Sequence, residues 1–282
     1  MSENDYSWTE NMLLLDRTND TDNTDIGYPF ALEELLCKQA GEGGPPVCHL
    51  WRHPRAFVMG SRDSRLPKAA DAVRQLEEAG YAVLVRHSGG AAVPLDAGVI
   101  NLSLIMPMSE KYAFGFRNDF ERMYALISGA AASAYGYTVS KGEVQGSYCP
   151  GEYDLHIDGL KFCGIAQRRQ VRAMIIQAFV IVEGSAPARA ERVRAFYERA
   201  GNGARPGSFP IIVPESMRSL LENSVIGNGG VDAFTNAVIR TLSDFQTASG
   251  NAALTNARIH MPEPRSIMEM SERLRQRYPV PR

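Results

Sequence analysis

Residues 146–169 read GSYCPGEYDLHIDGLKFCGIAQRR. Cys149 stands between an aromatic residue and a Pro-Gly turn, and Lys161 follows twelve positions later, beyond Asp158-Gly159. A thiol on a turn can reach a cleft, and loops carried by a rigid scaffold are where reactive groups concentrate. An ammonium beside a thiol favours the thiolate, the form that attacks carbonyl carbon. It can also stabilise the oxyanion of a tetrahedral intermediate, or move a proton once burial lowers its pKa from the free value of ~10.4. Residue types alone leave the plainer alternative open, with Cys149 a half-buried small hydrophobe and Lys161 a solvated strand residue. Cys163 is a rival nucleophile, because strand alternation puts it on the same face as Lys161. Yet Phe162-Cys163-Gly164 inside a strand reads first as core packing.

A second stretch, RHSGGAAVPLDAGVINLS at 86–103, sets Gly89 and Gly90 just after an apolar strand. Paired glycines open backbone angles closed to other residues and let a ligand approach the main chain. A tight hairpin turn with no ligand fits the same pattern. The spacing is neither a dinucleotide fingerprint nor a phosphate loop. His87 reads as an ordinary polar residue beside a turn, and Asp96 and Asn101 as side chains that brace it.

These residues need elements to hold them. Asp158-Gly159 between DLHI and LKFCGIAQRR is a two-residue hairpin signal, with QVRAMIIQAFVIVE as the next strand. Upstream, PFALEELLCKQAGEGG predicts a helix that ends near Ala40 and buries Cys37, while VCHLWRH and AFVMGS predict two strands, the first with Cys48 in its core face. PKAADAVRQLEEAG has the Pro start and Gly stop of a helix. YAVLVRHSGGAAVPLDAGVINLSLIM predicts three strands separated by turns, and FRNDFERMYALISGAAASAYG a long helix. From Pro187 the chain turns helical through PARAERVRAFYERAG, PESMRSLLEN, VDAFTNAVIRTLSDFQ and PRSIMEMSERLRQRY. This order predicts an α+β fold, a mixed, largely antiparallel sheet covered by helices with a helical C-terminal part. Residues 1–25 are expected to be a flexible arm with one apolar patch, MLLL, and 26–282 a single catalytic domain whose helical cap begins near 205.

Composition narrows the function classes. Thirty basic and 32 acidic side chains leave a formal charge of −2, which offers no basic surface to nucleic acid. No stretch approaches the ~20 apolar residues of a membrane span and the start lacks an export signal, so a cytoplasmic protein is expected. Four cysteines without C-x-x-C spacing, and five histidines in no tight cluster, predict neither a disulfide framework nor a metal site.

At 86–103 the chain resembles the Arg-x-Ser-Gly-Gly-x-x-Val…Asp-x-Gly…Leu-Asn-x-Ser block of the lipoate and biotin protein ligase superfamily, which includes octanoyl transferases. At 146–169 it resembles a narrower signature, Gly-Ser-Tyr-Cys-Pro-Gly-x-Tyr-Asp-Leu…Lys-Phe-x-Gly-Ile-x-Gln-Arg-Arg. That signature belongs to amidotransferases that move octanoyl groups from the glycine-cleavage H protein to lipoyl domains of 2-oxoacid dehydrogenase E2 subunits. The likeness runs from about residue 30 to about residue 275.

The resemblance implies the ligase catalytic-domain fold, Cys149 as a nucleophile that forms an acyl thioester, and Lys161 as the group that steadies the oxyanion and shuttles a proton. It places Ser88, Gly89 and Gly90 at the acyl pocket, and Arg86, Asp154 and Gly164 at substrate-binding positions. It implies no cofactor and no metal. Cys163 falls where the family carries a small residue. Leu95-Asp96 stands where ATP-dependent ligases carry His-Asp, which speaks against adenylation. Three other readings remain: transfer from octanoyl-acyl-carrier-protein, ATP-dependent lipoate ligation, and a non-catalytic module that docks lipoyl domains. An octanoyl chain needs a narrow apolar slot, and each buried methylene contributes ~0.8 kcal/mol.

Overall fold

Asp158 and Gly159 both adopt left-handed backbone angles (φ 52° and 79°), the geometry of a two-residue hairpin turn. In the computed structural model, which describes residues 5–108, 116–222, 229–248 and 259–282, this turn joins β8 (Leu155–Ile157) to β9 (Leu160–Arg169). β9 returns antiparallel as β10 (Ala173–Ile181). With β1 (Leu13–Arg17), β2 (Val47–Trp51), β6 (Val99–Pro107) and β7 (Ser140–Lys141), these strands build a seven-stranded sheet in the order β1-β2-β6-β10-β9-β8-β7. Every neighbouring pair is antiparallel except β1 with β2. The expected mixed, largely antiparallel sheet is therefore present.

One face of this sheet packs on α3 (Phe116–Tyr135) and α5 (Gly230–Ala248) through a core that includes Leu102, Leu104, Ile127, Phe234 and Leu242. On the other face, α1 (Gly27–Gly41) covers β6 and β10, and α6 (Pro264–Arg277) packs on α1. Beside α1 lies a second, three-stranded sheet with β3 (Arg55–Met59) at its centre, β4 (Ala82–Val85) parallel to it and β5 (Val93–Asp96) antiparallel. The helices α2 (Ala69–Glu78) and α4 (Ala186–Ala200) complete that layer. Trp51, Phe179 and Ile181 of the large sheet share one core with Phe57, Val58 and Val85 of the small one.

Four expectations change. MLLL is not part of a loose arm: Met12 and Leu13 are buried, β1 pairs with β2, and Gln246 Nε2 donates to the carbonyls of Thr9 and Met12. The Gly-Gly stretch does not close a hairpin, because β4 and β5 flank β3 and the loop must cross the end of β3, where Arg86 N–H donates to Met59 O. Among its described residues, 214–222, PESMRSLLEN is a helix only over Pro214–Ser216. Beyond it, Arg218, Leu220 and Leu221 give their amides to Lys161, Ile181 and Val182, so their apolar spacing serves a segment laid along the sheet. The helical last third is also not one cap, since α5 and α6 lie on opposite faces of the large sheet. No described helix is long and apolar enough to cross a membrane.

Candidate active site

Cys149 sits in the left-handed region, with φ at 49°. For a residue with a Cβ this conformation costs of order 1–3 kcal/mol and survives only where its surroundings hold it. Those surroundings are specific. The buried Tyr148 ring stacks on Phe179 with centroids 5.5 Å apart. Lys161 Nζ donates to the carbonyls of Tyr148 (2.8 Å) and Cys149 (2.7 Å) and pairs with Asp154 Oδ1 at 2.8 Å. An ammonium has three protons, and here each has a partner. Asp154 also accepts from Val144 N–H and Ser147 Oγ, which ties the start of the loop to the same carboxylate. Burial pushes the Asp154 carboxyl above its ordinary range, and the Lys161 charge opposes that.

The sulfur itself faces other groups. Arg86 Nη2 donates to Cys149 Sγ at 3.2 Å, and Ala91 N–H does so at 3.3 Å. The cation that is hydrogen-bonded to the thiol is thus Arg86, whereas Lys161 grips the main chain on either side of it. Arg86 is largely buried and also donates to Ala91 O at 2.7 Å, and its Nε has no partner. Arg86 therefore stands at the Cys149 sulfur. Asp154, expected at the substrate, is buried behind the loop with Lys161.

Cys163 separates from this group. β9 carries a bulge opposite Leu155 and His156, so Cys163 pairs with Leu155 but Lys161 pairs with His156. The extra residue, Phe162, reverses the alternation. Phe162 and Cys163 both enter the core beneath α3 and α5, and Lys161 turns to the opposite side, 5.7 Å from the Phe179 ring. Burial raises the Cys163 thiol well above its usual range and pushes Cys37 and Cys48 up to about 12. All three are core residues, as expected. Cys149 is the partly exposed thiol.

Beside the sulfur opens a slot of about 460 Å³, solvent at its mouth included, between the two sheets. Val58, Val93 and Leu95 of the small sheet form one wall; Trp51, Phe179 and Phe30 form much of the other. Gly164 lies in this wall, where a Cβ would stand 2.6 Å from the Phe179 ring and 3.5 Å from Lys161 Cε. Gly90 has φ at 97°, and a Cβ there would collide with Arg86 Nη2 and lie 2.9 Å from Cys149 Sγ. Gly89 meets nothing within 4 Å. Ser88 is buried, but its Oγ has no partner and it does not line the slot. Asp96 braces its turn by accepting from Gly98 N–H and takes both arms of Arg189 as well. Asn101 does not brace that turn; it sits in β6 and lines the slot.

A match to the family model described as "Lipoyl protein ligase A/B catalytic domain" spans residues 25–243. The chain belongs to this family. Within it, the chain is 41% identical over 235 residues to the octanoyl-[GcvH]:protein N-octanoyltransferase of Geobacillus kaustophilus, covering 82% of each chain. It is 34% identical over 220 residues to the lipoyl-[GcvH]:protein N-lipoyltransferase of Listeria monocytogenes, covering 76% of this chain and 78% of that one. Among solved structures it is similar in fold to a lipoate-protein ligase A bound with ATP, at TM-score 0.65 and 17% identity over 94% of this chain and 93% of that one.

Sequence reasoning missed several supports of this ligase-family site. Tyr197 OH lies 3.1 Å from Ala92 N–H, which donates to it, and itself donates to Asp63 Oδ1 at 3.0 Å, bracing the loop that carries Ala91. Burial raises the Asp63 carboxyl, against the hydrogen bonds from Gly60 and Tyr197. The His87 side chain is buried, with Nε2 2.7 Å from Glu34 Oε1, and Glu34 also accepts from Arg168 and Gln170. Glu33, wholly buried, accepts from His49 Nδ1 (3.0 Å), Trp51 Nε1 (2.9 Å), Ser103 Oγ (2.7 Å) and Gln177 Nε2 (2.6 Å). Adjacent carboxylates on a helix of mostly apolar residues were the signal for both clusters.

Proposed function

We propose that this protein is an amidotransferase that moves an octanoyl group from a lysine of the glycine-cleavage H protein to a lysine of the lipoyl domains of 2-oxoacid dehydrogenase E2 subunits. The octanoyltransferase relatives support the acyl group, the H-protein donor and a protein acceptor. The observation that carries the chemistry is Cys149 lining the largely apolar slot, with Arg86 and Ala91 N–H as donors to its sulfur.

In the proposed cycle Cys149 attacks the amide carbonyl of octanoyl-lysine. The C–S bond forms, the C–N bond breaks, and the thiol proton leaves on the lysine amine. Arg86 and Ala91 N–H favour negative charge at the reacting centre, as preorganised donors do. Lys161 and Asp154 hold the strained loop so that the sulfur faces the slot. The amine of the acceptor lysine then attacks the thioester, which restores an amide and frees the thiol. Amide is exchanged for amide, so no ATP is consumed. The proposal sets the reaction in the cytoplasm, where the four free cysteines stay reduced.

The test is to mix the enzyme, octanoylated H protein and apo lipoyl domain without ATP and to follow the mass of the lipoyl domain. A gain of one octanoyl group is expected. Modification that appears only with ATP and free acid would overturn the proposal. Lipoylated H protein in a parallel arm decides between the two acyl groups carried by the relatives.

A further inference from the structure

Directly paired residues set Gly164, Phe179, Asn101 and Trp51 in one row across β9, β10, β6 and β2. The next row on the same face, towards α1, holds Ala166, Gln177, Ser103 and His49. Gln177 and Ser103 line the slot, and both give their donors to the buried Glu33, which also takes those of His49 and Trp51. The slot is therefore apolar along much of its walls, and two of its lining residues, Ser103 and Gln177, belong to a polar row hydrogen-bonded to Glu33 of α1. A methylene pressed into that row displaces hydrogen bonds to a buried carboxylate, whose loss outweighs the gain from burying hydrocarbon.

We propose that Ser103 and Gln177, held in place by Glu33, end the acyl slot and so set the length of the chain transferred. This rests on the octanoyl reading above but not on the thioester, because the gauge acts whichever group attacks the carbonyl.

The test uses H protein carrying six-, eight-, ten- or twelve-carbon acyl groups, with amide product on the acceptor as the readout. Gln177→Ala opens the polar row. It is expected to raise transfer of ten carbons relative to eight by about fifteenfold, or about fourfold per methylene, the ratio that ~0.8 kcal/mol corresponds to. Ser103→Val fills the same row and is expected to shift preference the other way, raising six carbons relative to eight. Thermal melts identify a variant that has not folded, and the other then decides. Unchanged length ratios in a folded variant would overturn the gauge. Wild-type protein inert towards all four donors would instead sink the octanoyl reading, and the gauge with it.

Discussion

At the scale of the residue, two cations divide the work around one sulfur. Arg86 touches the thiol, so under the proposed cycle its removal is expected to act on the reaction more than on the fold. A hydrogen bond to a charged group contributes about 1.5–3 kcal/mol, and Arg86→Gln is expected to lower kcat/KM by about ten- to a hundredfold with a small change in melting temperature. Lys161 is bound to main chain and to Asp154, so Lys161→Met leaves a buried carboxylate without its partner. The expected cost is about 3–5 kcal/mol in denaturant unfolding, together with loss of activity. Glu33 adds a pH signature. Burial is the largest single influence on it and acts upward, but hydrogen bonds and charge from His49, with those from Ser103 and Gln177, outweigh it and hold the carboxyl below its ordinary range. A depressed acid stabilises the fold above its unfolded pKa of ~4.3 and loses that contribution as pH falls through the folded value. Glu33→Gln should therefore destabilise more at pH 7 than at pH 3, as unfolding at both pH values would report.

At the scale of the element, turns and registers decide which side chains meet. The loop across the end of β3 needs Gly90 but not Gly89 for close approach. Gly90→Ala is expected to lose transfer activity while Gly89→Ala keeps most of it, a contrast that steady-state rates would show. The Asp158-Gly159 turn was legible in the sequence because a two-residue turn has a strict backbone demand that these residues meet. That Lys161 and Cys163 face opposite sides was not, because alternation presumes an unbroken register and the bulge at Phe162 breaks it. The flanks of the Gly-Gly stretch were left open for a related reason: local residue types specify a turn, but which strands flank it depends on β3, thirty residues earlier in the chain.

At the scale of the molecule, the site depends on parts far apart in sequence. The sheet class and most helices were legible from periodicity, and the cysteine loop from its residues. The partners of Glu33, Glu34 and Asp63 were not, since they come from strands and helices that only tertiary packing assembles. The same holds for β1, whose polar surroundings hide a strand that covers the edge of β2. Deleting residues 1–18 is expected to lower the melting temperature and promote association through the uncovered edge of β2, visible in light scattering.

The most direct test of the central claim is the intact mass of the enzyme after mixing with octanoylated H protein alone, without ATP, for wild type and Cys149→Ala. A thioester mechanism predicts a gain of one octanoyl group on the wild type only, discharged when apo lipoyl domain is added. Acyl transfer to the lipoyl domain by Cys149→Ala at the wild-type rate, with no adduct on either protein, would contradict it.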